Sequence, residues 1–365
     1  MGFGSSGKTT LFQLLTSAKE TARAAHGKGE ASVGISRVPD ARLDRLTGMY
    51  TPRKRVPATV EFSDYAMPGL ATGGVAQALV DVAAYKDAHA LVHVVRTFND
   101  PAIPHSAGPV NPARDAQAME DELILADLGV AERRIERIDR DLKKGRSVEL
   151  ARERDVVTMC RVALEEGRPL RALDLEGDDL KRLRGFQFLS AKPLLVIINL
   201  DEFQLASSGE TATRIDRVAD TAGLTPFLSR AATAAVAVCA RIELEITQLE
   251  PADAAAFLAD LGLRESGLDR VIRASYDLLG YVSFFTVGED ECRAWSIPRG
   301  TPAQGAAGEI HSDIARGFIR AEVVSYDHLV GRGSMAACRQ HGEVRLEGKD
   351  YIVLDGDIIN FRFAT

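Results

Sequence analysis

Four short apolar runs punctuate the first two thirds of the chain: Ala58-Thr-Val-Glu-Phe-Ser63, Ala90-Leu-Val-His-Val-Val95, Leu194-Leu-Val-Ile-Ile198 and Ala235-Val-Ala-Val-Cys239. Runs of this length, rich in Val, Ile and Leu, fit strands buried on both faces of a mostly parallel sheet, with the helices between them covering it. Between the second and third runs the pattern changes. From about residue 116 to 184 the chain is charged and helical, with Leu128, Ile135, Ile138 and Leu142 at heptad-like spacing and Gly145-Arg-Ser147 as a turn. A first arm from Glu120 to Lys144 would span about 36 Å at a rise of about 1.5 Å per residue. After about residue 278 come short alternating segments, Val282-Ser-Phe-Phe-Thr-Val287 and Arg293-Ala-Trp-Ser-Ile297. Tyr351 to Phe363 reads as two strands around an Asp355-Gly356 turn. Trp295, Phe284 and Phe285 are expected in the core of this last domain.

Ahead of the first strand stands the most specific pattern of the chain, Gly2-Phe-Gly-Ser-Ser-Gly-Lys-Thr9, which matches G-x-x-x-x-G-K-[ST]. Gly2, Phe3, Gly4, Ser5, Ser6 and Gly7 would curl successive backbone N–H groups around phosphates. Lys8, the catalytic candidate, would reach the β and γ oxygens, and the Thr9 hydroxyl would ligate Mg²⁺. Lys8, Thr9 and Thr10 open an amphipathic stretch with Leu11, Phe12, Leu14 and Leu15 on its apolar side, so phosphates would meet the positive end of a helix dipole. The usual setting is strand, loop, helix. Met1 stands where the end of that strand belongs, and the expectation is an assigned start that falls too late.

Two further positions extend the site. Asp64 ends the strand Val60-Glu-Phe-Ser63 and is the second metal candidate, since such enzymes hold Mg²⁺ with a strand-terminal carboxylate. Asn199-Leu-Asp-Glu202 follows a buried strand, where GTPases carry Asn-Lys-x-Asp. Glu202 in the last place carries its carboxylate one methylene further out, which spoils the two-bond geometry toward guanine and favours ATP. Asn199, Leu200 and Glu202, with Cys239 and Ala240, form the candidate base site, in which the loop Cys239-Ala-Arg241 after the next strand would touch the base through its backbone.

Composition narrows the function. The 365 residues allow two or three domains, and no apolar run approaches membrane-spanning length. A net charge of −7 argues against a globally basic nucleic-acid binder, so neither DNA nor a membrane is an expected partner. Cys160, Cys239, Cys292 and Cys338 form no C-x-x-C pair and read as reduced thiols, which fits a cytoplasmic protein. On the arm, Arg133, Arg134, Arg137, Arg140, Lys143 and Lys144 alternate with acids, the pattern of a solvated face with i,i+4 pairs. His89 and His93 fall in a strand-like run and read as packing residues.

Taken together, these segments resemble the YchF family of Obg-related P-loop NTPases along nearly the whole chain. The resemblance extends to Val38-Pro-Asp-Ala-Arg-Leu-Asp44, His93-Val-Val-Arg-Thr-Phe98, Val110-Asn-Pro112, Leu170-Arg-Ala-Leu-Asp174, Arg273-Ala-Ser-Tyr276, Arg293-Ala-Trp-Ser-Ile-Pro298 and Gly348-Lys-Asp-Tyr-Ile352. It implies an α/β fold with three parts: a Ras-like P-loop NTPase domain over 1–115 and 185–277, an inserted helical hairpin over 116–184, and a β-grasp (TGS) domain over 278–365. It further implies ATP in preference to GTP and association with ribosomes; with the motif residues above, the expectation is slow hydrolysis with Mg²⁺ as cofactor, and the basic residues of the arm make rRNA a candidate partner. The alternative is a ribosome or RNA adaptor that binds nucleotide, or none, without turnover. The departures fall on moving parts. Ser5 replaces an Asn that supports K⁺ binding in the family, His26 to Ser32 lacks a Thr for Mg²⁺, and Asp64-Tyr-Ala-Met-Pro68 replaces Asp-x-Ala-Gly-Leu.

Overall fold

The computed structural model describes residues 1–16, 32–65, 82–175, 177–207 and 211–364. Its strands run β1 (Ser32–Arg37), β2 (Lys54–Val56), β3 (Thr59–Asp64), β4 (Leu91–Arg96), β5 (Leu194–Asn199), β6 (Thr233–Val238), β7 (Tyr281–Thr286), β8 (Glu291–Pro298), β9 (Phe318–Ser325), β10 (Arg345–Glu347) and β11 (Asp357–Phe363). Two compact units emerge: Met1–Gly34 with Phe62–Ala274, and Ile35–Glu61 with Ser275–Thr365.

In the first unit β4, β5 and β6 form a parallel sheet with β5 central, in unbroken register from Leu91↔Leu194 to Arg96↔Asn199. Every residue of β5 is buried, as expected of a strand covered on both faces. Met1 continues the pairing beyond β4: its amino group donates to the Val92 carbonyl (2.7 Å) and its carbonyl accepts from the Val94 N–H (3.0 Å).

The charged segment becomes two helices, Pro112–Leu142 and Val148–Glu165. The first begins eight residues before the expected arm because Asn111 caps it, accepting from the Arg114 N–H (3.0 Å), with Pro112 in the first turn. Its two halves serve different cores. Ala116, Met119 and Leu123 pack with the parallel sheet, whereas Ile124, Ala131 and Ile135 pack with Val156, Val157, Cys160 and Leu164 of the returning helix. The join is polar and satisfied: Asp127, whose carboxyl burial pushes above the usual range, accepts from the Leu189 and Ser190 N–H groups (2.9 and 2.7 Å). Buried Glu120 meets Arg171 at 2.7 Å. On the arm, Arg134–Glu153 and Arg154–Asp139 pair across the two helices.

The second unit carries a mixed sheet in the order β10-β9-β11-β7-β8-β2. Val282, Phe284, Ile297, Val323, Ile359 and Phe361 fill one face. Trp295 stacks on Phe284 (6.3 Å between centroids) and donates through Nε1 to Thr286 (3.0 Å), the core role expected of it. One expectation fails here. Residues 351–354 do not form a strand: their pairing is limited to one bridge, Ile352 to Pro302, while Val353 is buried in the core of the unit. The side chain of Asp357 explains this by accepting from the Leu354 N–H (2.9 Å) and the Tyr351 hydroxyl (2.8 Å), which folds the segment back on itself. Asp355 then accepts from the Ser283 N–H (2.9 Å), and Gly356 turns the chain at φ +89°. His89 also lies before its expected strand, exposed in a bend, while His93 is a buried member of β4.

Candidate nucleotide site

Residues 2–7 form a loop between Met1 and the helix Lys8–Thr16, at the carboxyl end of the parallel sheet, where ligands of such folds collect. The loop curls because its glycines allow it, with φ +138° at Gly2 and +97° at Gly7. A Cβ on Gly7 would collide with the side-chain amide of Asn199. Lys8 folds back over the loop, donating to the carbonyls of Gly2 (2.8 Å) and Phe3 (2.7 Å). Leu11, Leu14 and Leu15 bury the helix underneath, whereas Thr9 and Thr10 are exposed in its first turn. Burial holds the Lys8 ammonium below the usual lysine range, opposed by the negative charge of Asp64 at the end of β3.

Asn199, the last residue of β5, ties the two ends of the site together. Its Nδ2 donates to the Ser6 carbonyl (2.9 Å) and its Oδ1 accepts from the Ala240 N–H (3.1 Å), so one buried side chain fixes both the phosphate loop and the loop after β6. Cys239 is buried at the start of the helix Ala240–Ile246, and burial pushes its thiol up. Leu200 is anchored through its N–H to Val238 (2.8 Å). Glu202 stands half-exposed in the first turn of the helix Glu202–Ser207, 3.0 Å from the guanidinium of Arg241. A cavity of about 930 Å³ opens beside this loop, lined among others by Thr97, Asn99, Val110, Leu200 and Gln204.

Three supports were not among the expected site residues. Buried Arg96 donates to the carbonyls of Phe98 (3.0 Å) and Ile103 (2.9 Å) and lies over the Phe98 ring (4.4 Å), shaping the loop after β4. His105 of that loop packs on Phe3 (5.7 Å between centroids) and lies 2.9 Å from Asp115, whose other oxygen accepts from Arg114 (2.8 Å). His93 lies under Gly2. Burial, the largest cause, lowers its pKa to about 3. Histidine is too common in cores for its position alone to single it out, and Arg96 reads as an ordinary strand-end charge.

Gly2 to Thr10, Asp64, Asn199, Leu200, Glu202, Cys239 and Ala240 thus belong to one end of one unit. Of the departures from the family pattern, Ser5 lies in the described loop, at φ +59°, whereas the segment around His26 and the one from Ala66 to Pro68 lie outside the described residues. Donors fit a magnesium nucleotide: a hydroxyl and a carboxylate are hard oxygen ligands, and Gly2 and Gly7 pack so closely on Val94 and Asn199 that a Cβ at either would collide, which keeps the phosphate loop tight. Among the described residues no group of three or more His, Cys, Asp or Glu is placed to hold a metal by itself.

Comparison with known proteins follows the same lines. A family model named YchF-GTPase_C, described as a protein of unknown function (DUF933), matches residues 281–364. The ribosome-binding ATPase YchF of Bacillus subtilis is 39% identical over 369 residues, covering 100% of this chain and 98% of that protein. The ribosome-binding ATPase YchF of Escherichia coli O157:H7 is 38% identical over 370 residues with the same coverage. Among solved structures, that of the Schizosaccharomyces pombe YchF GTPase superposes with a TM-score of 0.83 at 27% identity, covering 99% of this chain and 96% of that one. A GTP-binding protein from Pyrococcus horikoshii shares the fold, with a TM-score of 0.55 at 18% identity.

Proposed function

The chain belongs to the YchF family, and from that premise we propose that it is a ribosome-associated, purine-nucleotide-binding ATPase that prefers ATP to GTP and hydrolyses it slowly with Mg²⁺. The observation that carries this reading is the Asn199 bridge, which locks the phosphate loop to the base loops in one rigid cradle. Gly2 to Gly7 supply backbone N–H donors to the phosphates, and Lys8, already poised over the loop, moves its ammonium from two carbonyls to the β and γ oxygens. Thr9 and Asp64 hold Mg²⁺, which neutralises charge on the phosphates when bound. Leu200, Cys239 and Ala240 frame the base. The ribosome role rests on the names of the relatives, with the helical arm and a β-grasp (TGS) domain over 278–365 as its docking parts, and a cytoplasmic location goes with it.

Calorimetric titration of the 365-residue chain with Mg-ATP and Mg-GTP tests the reading. Tighter ATP binding, with phosphate release that vanishes in Lys8→Ala, is the expected result. Binding without any release would overturn turnover and leave an adaptor; binding of neither nucleotide would overturn the cradle.

A further inference from the structure

Glu202 and Arg241 occupy equivalent places after adjacent strands. Asn199 and Val238 are register partners at the ends of β5 and β6, and each charged residue stands three positions further on. Their two helices are held in step by Asn199 and by the Leu200 to Val238 bond, so the encounter of the carboxylate with the guanidinium at 3.0 Å follows from a fixed framework. Both side chains are solvent-exposed, Arg241 at 78%, so the pair contributes little to folding and leaves its free edges to a ligand.

The chemistry of the two purines then separates. Guanine presents two donors, N1–H and the N2 amino group, and needs a carboxylate with both oxygens free. Adenine presents one donor, the N6 amino group, beside one acceptor, N1. A carboxylate with one oxygen turned to arginine keeps one oxygen wholly free as acceptor, and the guanidinium, which has five donors and no acceptor, offers the complementary donor. We propose that Arg241 is a specificity-determining residue: by engaging Glu202 it withholds the double acceptor that guanine requires and presents an acceptor-donor pair that suits adenine. This rests on the nucleotide-binding reading above and adds to the longer reach of Glu202 a second reason for ATP preference.

Arg241→Ala frees the carboxylate. The ratio of GTP to ATP dissociation constants should fall about three- to fivefold, the scale of an exposed ion pair. ITP, which has N1–H but no N2 amino group, should gain less than GTP. Arg241→Lys keeps a donor beside Glu202 and should retain the parental ratio more closely. In a Glu202→Ala background the Arg241→Ala change should no longer move the ratio, a result that a merely structural role of Arg241 would not give. An unchanged ratio in Arg241→Ala, in a parent chain that binds both nucleotides, would overturn this assignment alone. A parent chain that binds neither would overturn the nucleotide reading with it.

Discussion

At the phosphate end of the site, positive-φ glycines, a buried asparagine and a lysine bonded to two carbonyls leave almost no freedom of side chain; at the base end, Glu202 and Arg241 meet in solvent. The first end is built from backbone, whose donors every nucleoside triphosphate engages alike. The second is built from exchangeable side chains, which tell one base from another. Substitutions at the first should therefore change how well any nucleotide binds, and substitutions at the second only which one.

The sharpest test is Gly7→Ala. Its Cβ meets the Asn199 amide at a backbone angle that alanine resists, so strain and the unpaired Ser6 carbonyl and Ala240 N–H together should cost about 3–5 kcal/mol of stability. Gly48, in the helix Ala41–Tyr50, has open space where its Cβ would go. Gly48→Ala should be neutral or stabilising by up to about 1 kcal/mol, and thermal unfolding of both variants checks the contrast. Equal losses at the two positions would break the idea that the loop is held by close approach.

Lys8→Ala comes next. Removing charge-assisted bonds to phosphate should weaken ATP and GTP alike by about 10- to 100-fold, read by calorimetry. A loss confined to one nucleotide would contradict the division of labour. Asn199→Ala should follow at about 2 kcal/mol of stability, because it leaves the Ser6 carbonyl and the Ala240 N–H without their partner. Both nucleotides should weaken together; if only the base preference changed, Asn199 would belong to the second end.

Much of this was legible in the chain. β5 announced itself because a strand buried on both faces reads as an unbroken apolar run, Leu194 to Ile198, and the phosphate loop because glycine, lysine and threonine are each needed for a separate physical reason. The helical arm was legible from its spacing, but its start required the Asn111 cap. What stayed hidden depends on partners far along the chain. β2, three residues long, pairs with β8 more than two hundred residues later, and no local pattern encodes that. Residues 351–354 carry the apolar spacing of a strand but are drawn into a turn by one buried aspartate, Asp357. Arg241 is a common helix-surface residue until the register of β5 and β6 sets it opposite Glu202.

The smallest expected effect probes the base end directly. Glu202→Asp shortens the side chain by one methylene, which draws the carboxylate back toward the position that guanine needs and away from Arg241. Both changes act in the same direction, so the affinity for GTP relative to ATP should rise, by about two- to fivefold given that the pair is exposed and worth at most about 1 kcal/mol. Thermal stability should be unchanged, since Glu202 makes its contact at the surface. A stable variant with an unaltered GTP to ATP ratio would move base selection to the backbone framed by Asn199 and Cys239, and would make the two ends of the site alike in kind.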